Sequence, residues 1–180
     1  MVRTFLALDL SEDIRKRIEE SQGILRHSSA RITFVDPAAA HVTIKFLGEV
    51  PEEQLPQIIT AIRGVRCAPF DITITGIGCN SRVKPRIVWG IVKDHGESAD
   101  LAHQADEVLA PLGFPRESRP FRPHITLARV RECDNTLIRQ VQEIAETTLG
   151  SVRVSCLKLK KSTLTPKGPI YEDLAEAPLR

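Results

Sequence analysis

Apolar and polar positions alternate along this chain with two periods, and the switches between them mark its elements. The opening run RTFLALDL (residues 3–10) is short and apolar and reads as a buried strand. Ser11 then supplies an N-cap, Glu12 and Asp13 suit a first helical turn, and Ile14, Ile18 and Leu25 recur at helical spacing. RITFVD predicts a second strand that stops at Asp36-Pro37, and AHVTIKFLGEV (residues 40–50) a third. PEEQLPQIITAIRGV predicts a helix after Pro51, with Pro56 moving its start downstream.

In FDITITGIG, Phe70, Ile72 and Ile74 alternate with Asp71, Thr73 and Thr75, the signature of a half-buried strand, and PRIVWGIV predicts another. SADLAHQADEVLAPLGF places Leu101, Ala105, Val108 and Leu112 on one helical face, with Ser98 as its cap. RPHITLARV is a further strand, DNTLIRQVQEIAETTLG a helix stopped by Gly150, SVRVSCLKLKKSTLT one strand, and PIYEDLAEA the last. Several strands follow one another without an intervening helix, which favours an α+β fold with antiparallel sheets over a doubly wound one.

Two of these strands share a local pattern. His41-Val42-Thr43 and His124-Ile125-Thr126 both read His, apolar, Thr, and they stand 124 − 41 = 83 residues apart. Each precedes an amphipathic helix. The expected architecture is one domain over residues 1–180 with two lobes, the motif strands at 41–48 and 124–130 being related by a pseudo-twofold axis that sets the histidines across a cleft.

Composition narrows the function classes. A chain of 180 residues that is 42% hydrophobic and 27% charged is an ordinary soluble domain, and 4% aromatic argues against a surface built mainly for base stacking. The net charge of +2 is too small for bulk nucleic-acid coating, so only local clusters count: Arg82, Lys84, Arg86; Arg116, Arg119, Arg122; and Lys158, Lys160, Lys161, Lys167. Cys67, Cys79, Cys133 and Cys156 form no C-x-x-C pair, which points to free thiols in a reducing compartment. With no cleavable leader pattern and no run long enough to span a bilayer, a cytoplasmic location is expected, without a membrane or an obligate protein partner.

Strict alternation puts His41, Thr43 and Lys45 on one face of their strand, with Val42, Ile44 and Phe46 on the other; likewise His124 and Thr126 oppose Ile125 and Leu127. Two imidazoles around one substrate serve as base and acid in one turnover, a division suited to phosphodiester cleavage, while hydroxyls and cations bind the phosphoryl oxygens. A metal site lacks third and fourth ligands at usable spacing, no cofactor is indicated, and neither G-x-S-x-G nor a phosphate loop occurs; Gly76 and Gly78 read as turn or bulge residues.

The segments RTFLALDL, HVTIKFLGEV, RPFRPHITLARV and STLTPKGPIYEDLAEAPL together resemble the 2′-5′ RNA ligase or RNA 2′,3′-cyclic phosphodiesterase family of two-histidine phosphoesterases, nearly end to end. The resemblance implies a bilobal fold of two antiparallel sheets with outer helices. It implies hydrolysis of RNA 2′,3′-cyclic phosphate ends, tRNA fragments among them, to a 2′-phosphate, with ATP-independent 2′-5′ joining as a reverse-type activity. His41 would be the general acid, His124 the base, and Thr43 and Thr126 phosphate ligands. Lys45, Arg122, Arg129, Lys167 and Tyr171 are candidate RNA contacts; alternation sets Arg129 opposite His124 unless the strand bulges. A non-catalytic RNA-end or nucleotide-binding module and a phosphodiesterase for small cyclic nucleotides are the alternatives.

Overall fold

The strands pair only with antiparallel neighbours, and their order explains how two motifs far apart in sequence come together. The computed structural model describes residues 1–166 and 168–180. Along them run β1 (Val2–Asp9), α1 (Glu12–Leu25), β2 (Arg31–Phe34), β3 (His41–Val50), α2 (Leu55–Arg63), β4 (Phe70–Cys79) and β5 (Ile87–Lys93). There follow α3 (Glu97–Leu109), β6 (His124–Glu132), α4 (Asn135–Glu143), β7 (Gly150–Val154), β8 (Cys156–Thr165) and β9 (Gly168–Pro178).

The sheet order is β7-β4-β5-β6-β3-β1-β8-β9, with β2 also on β6. The two expected sheets are thus the halves β9-β8-β1-β3 and β7-β4-β5-β6, and they touch through a single register pair, Val42 with Ile125. That junction is the second residue of each motif, so the two His-x-Thr segments are neighbours at the centre of the molecule. Helices α2 and α3 pack on the first half and α1 and α4 on the second. Between helices and sheet lies a core that includes Leu6, Leu8, Ile14, Ile18, Ile72, Ile74, Leu101, Ile125 and Leu127, all at most 2% exposed.

Local chemistry sets most boundaries. Ser11 Oγ accepts from the Ile14 amide at 3.4 Å, capping α1, and Pro56 sits in the first turn of α2, where its missing N–H costs nothing. Three expectations need correction. Ser98 lies inside α3 and is fully buried; the Asp94 carboxylate caps that end instead, accepting from the Gly96 and Ser98 amides. Helix α4 ends at Glu143, and Gly150 opens β7 at a φ of 115° rather than stopping the helix. SVRVSCLKLKKSTLT is two strands on different parts of the sheet, β7 on β4 and β8 on β1. The break at Ser155 is where burial changes phase, from Val154 to Leu157 and Leu159.

Gly76 has a steric reason. A Cβ there would lie 2.4 Å from the Ala145 carbonyl oxygen, to which the neighbouring Ile77 amide donates at 3.0 Å. The β4–β5 register also shifts between Ile74 and Gly76, the bulge that this glycine permits.

Candidate active site

Each motif strand carries one extra residue, and this decides what faces the cleft. Along β1 and β3 the pairs run Phe5 with Phe46, Leu6 with Lys45, then Ala7 with Thr43, skipping Ile44. Along β5 and β6 they run Val88 with Ala128, then Trp89 with Thr126, skipping Leu127. A bulge puts two consecutive residues on the same side and reverses the alternation beyond it. Ile44 and Lys45 are therefore both buried and Phe46 turns outward, while Leu127 and Ala128 are both buried and Arg129 turns outward.

The face shared by the two motifs consists of His41, Thr43 and Phe46 on β3, and of His124, Thr126 and Arg129 on β6. Arg129 is on the histidine face after all, because of the bulge. Lys45 is a correction: it is 4% exposed, and its Nζ donates to Asp106 Oδ1 on α3 and to the Pro115 carbonyl, directed into the protein and away from any substrate.

The imidazoles are held identically. His41 Nδ1 lies 2.8 Å from the Ala39 carbonyl and His124 Nδ1 lies 2.8 Å from the Arg122 carbonyl. A carbonyl can only accept, so Nδ1 carries the hydrogen in both rings and the neutral form presents an Nε2 lone pair. His41 Nε2 is 3.1 Å from Thr43 Oγ1, whose hydroxyl donates to it.

The surroundings then differ. His41 packs against Phe5 at a centroid distance of 4.9 Å and edge-on against Tyr171 at 5.2 Å, while His124 lies 4.9 Å from the ring of Trp89. Beside His41, Lys160 Nζ pairs with Asp9 at 2.9 Å and with Asp173, and Lys158 Nζ binds Asp9, Asp173 and Glu176. This part of the lysine cluster is tied up within the protein, as is Arg116 through Glu107.

Burial lowers the pKa of His41, and the positive charges of Lys160 and His124 lower it further, against the opposing pull of the Ala39 bond and Asp9. The two histidines thus act on one another electrostatically. Burial raises the pKa of the Tyr171 hydroxyl, whereas the charges of Arg129 and Arg3 work in the opposite direction. Arg129 of one half and Tyr171 of the other therefore look onto the same space.

Of the remaining expected residues, Arg122 lines a cavity beside His124, and Lys167 lies outside the described residues. Phe5, Phe46 and Trp89 escaped the sequence reading, although Phe46 stands five positions after His41 as Arg129 does after His124. Among the described residues no three His, Cys, Asp or Glu side chains gather as a ligand set. Nor is any described helix long and apolar enough to cross a membrane.

Comparison with known proteins places this site. The family model for LigT-like phosphoesterases matches residues 8–89 and 92–171, a span that contains both motifs. The chain belongs to the LigT-like phosphoesterase family. The chain is similar to LigT-like relatives named RNA 2′,3′-cyclic phosphodiesterase. One from Archaeoglobus fulgidus is 37% identical over 176 residues, covering 96% of this chain and 98% of the relative. One from Methanothermobacter thermautotrophicus is 38% identical over 179 residues, covering 96% of each. Among solved structures, a Thermus thermophilus protein superposes with a TM-score of 0.84 at 31% identity, covering 99% of this chain and 98% of its own. Escherichia coli LigT in complex with 3′-AMP gives 0.80 at 27% identity, covering 99% and 98%.

Proposed function

We propose that this chain hydrolyses 2′,3′-cyclic phosphate at RNA ends to a 2′-phosphate, with His41 and His124 as its acid and base and without a metal. The observation that carries this is the matched pair of imidazoles. Each is fixed through Nδ1 by a carbonyl two residues upstream, presents Nε2 to the same face, and has a threonine two residues on. The names of the relatives and the nucleotide complex of E. coli LigT support the substrate class.

In the step that suits this geometry, His124 removes a proton from water as its oxygen bonds to phosphorus. The P–O3′ bond breaks, and the departing 3′ oxygen takes a proton from His41. The phosphate remains on the 2′ oxygen. Thr43, Thr126 and Arg129 hold the non-bridging oxygens, where charge concentrates in the transition state. The lowered pKa of His41 in the free enzyme is offset when the anionic phosphodiester binds beside it, so His41 takes up its proton together with substrate. A 5′-hydroxyl in place of water would give 2′-5′ joining by the same transfers, with no ATP.

Arg122, Lys167 and Tyr171 are the RNA contacts in this account, and tRNA fragments are fitting substrates. All four cysteines are free thiols, in keeping with a reducing cytoplasm. The test is an RNA oligonucleotide ending in a 2′,3′-cyclic phosphate, incubated with enzyme in excess chelator. A 2′-phosphate end is expected; no turnover until a divalent metal is added, or a 3′-phosphate end, overturns the proposal.

A further inference from the structure

We infer that the large cavity beside His124 is a nucleoside subsite, taking the base and ribose of the RNA nucleotide whose phosphate lies at the histidines. This inference rests on the phosphodiesterase proposal and adds where the rest of the substrate goes. The halves of the molecule are symmetric in their motifs but not in the space around them. The pocket at His41 has a volume of about 280 Å³ and charged walls from Asp9, Arg15, Asp36 and Lys160. The one at His124 has about 900 Å³ and lies between β4, β5 and α4.

The lining of the larger cavity fits a nucleoside in kind as well as size. Ile77 and Ile138 give it an apolar floor, and Trp89 and Phe121 offer flat aromatic surfaces. Every nucleobase has a π-face, so aromatic stacking binds bases with little regard to sequence. Gln142 and Ser81 supply groups for a base edge, while Arg82 and Arg122 add positive charge complementary to the RNA backbone. The cavity is continuous with the catalytic face, since the Trp89 ring lies 4.9 Å from that of His124. A base stacked beside Trp89 is thus within one nucleotide of a phosphate at Nε2.

Trp89 is the single tryptophan of the chain, so its emission reports on this cavity alone. The experiment titrates the full-length protein with adenosine 2′-monophosphate and, separately, with inorganic phosphate. A saturable change in emission is expected with the nucleotide and none with phosphate over the same range. Gly78 lines the cavity, and a Cβ on it would sit at ordinary contact distance, 3.5 Å from Ile91 Cδ1 and 3.6 Å from Trp89 Nε1. Gly78→Leu should therefore grow into the space and weaken nucleotide binding about tenfold or more, and Phe121→Ala should weaken it several-fold if the leucine variant does not fold. An equal response to phosphate, or nucleotide binding unchanged in folded variants, overturns the subsite. Cyclic-phosphate turnover without any emission response to nucleotide likewise refutes the subsite. An emission response without turnover would leave it standing and refute the hydrolytic proposal.

Discussion

Gln22 Nε2 on α1 donates to the Leu127 carbonyl at 3.0 Å across 105 positions of sequence, and it donates to the Val35 carbonyl as well. Leu127 is the extra residue of the β6 bulge, so this buried amide satisfies an acceptor that the irregular ladder leaves without a regular partner. Gln22→Leu removes the donor and strands two carbonyls. A loss of about 1–3 kcal/mol in denaturant unfolding is expected, with kcat reduced at temperatures where the variant is fully folded. Unchanged stability would show that the bulge does not depend on Gln22.

Arg129 owes its place on the catalytic face to that bulge. Arg129→Ala should lower kcat/KM about 10²–10³-fold with little change in melting temperature, because the side chain is exposed and its loss is felt only when phosphoryl charge must be stabilised. Steady-state kinetics on a cyclic-phosphate RNA measure this directly. The equivalent residue of the first half, Phe46, is 68% exposed and has no charge to lose.

The ion pair of Lys45 and Asp106, with side chains 2% and 11% exposed, joins β3 to α3; the other oxygen of Asp106 accepts from the Glu117 amide at 2.8 Å. Lys45→Ala leaves a buried carboxylate without its cation and should cost about 3–5 kcal/mol of stability. Replacing both residues, Lys45→Met with Asp106→Leu, should recover much of that. Equal stability of Lys45→Ala and wild type in urea would contradict this structural role.

Lys160 tunes His41. Burial is the first cause of the lowered pKa, and the positive charge of Lys160 adds to it, whereas Asp9 opposes it. Lys160→Met removes one cation and frees Asp9 from one of its partners, and both changes raise the pKa of His41. An NMR titration of the imidazole Hε1 signal should show the shift upward. The same network has a second consequence. Burial pushes Asp9 and Asp173 up, but Lys158 and Lys160 more than offset it, so both carboxyls fall below the ordinary range. Their folded values are depressed, so the stability they contribute is complete above about pH 4 and disappears as pH falls through those values. Unfolding midpoints should drop more steeply with acid in wild type than in Lys160→Met.

How much of this was legible in the sequence follows from how far each cause reaches. Alternation is local, and it correctly put His41 with Thr43 and His124 with Thr126. The capping of α1 by Ser11 and the proline start of α2 are local too. The bulges are not, because an extra residue exists only relative to the strand it pairs with. One skipped position in each motif sent Lys45 inward and brought Phe46 and Arg129 outward. Gln22 and Asp106, which hold the backbone near those bulges, look in sequence like ordinary polar residues of amphipathic helices. The split of SVRVSCLKLKKSTLT did leave a trace, a change of apolar phase at Ser155, hidden by the strand-forming composition on both sides.

The central claim is that two histidines divide one proton transfer into an acid and a base. Single-turnover rates of His41→Ala, His124→Ala and the double variant on an RNA 2′,3′-cyclic phosphate, in chelator and at matched folded fraction, test it most directly. Each single change should slow cleavage about 10²–10⁴-fold, with the double variant little slower than the worse of the two, since neither residue completes the reaction alone. A folded single variant that cleaves within a few-fold of wild type would contradict the account.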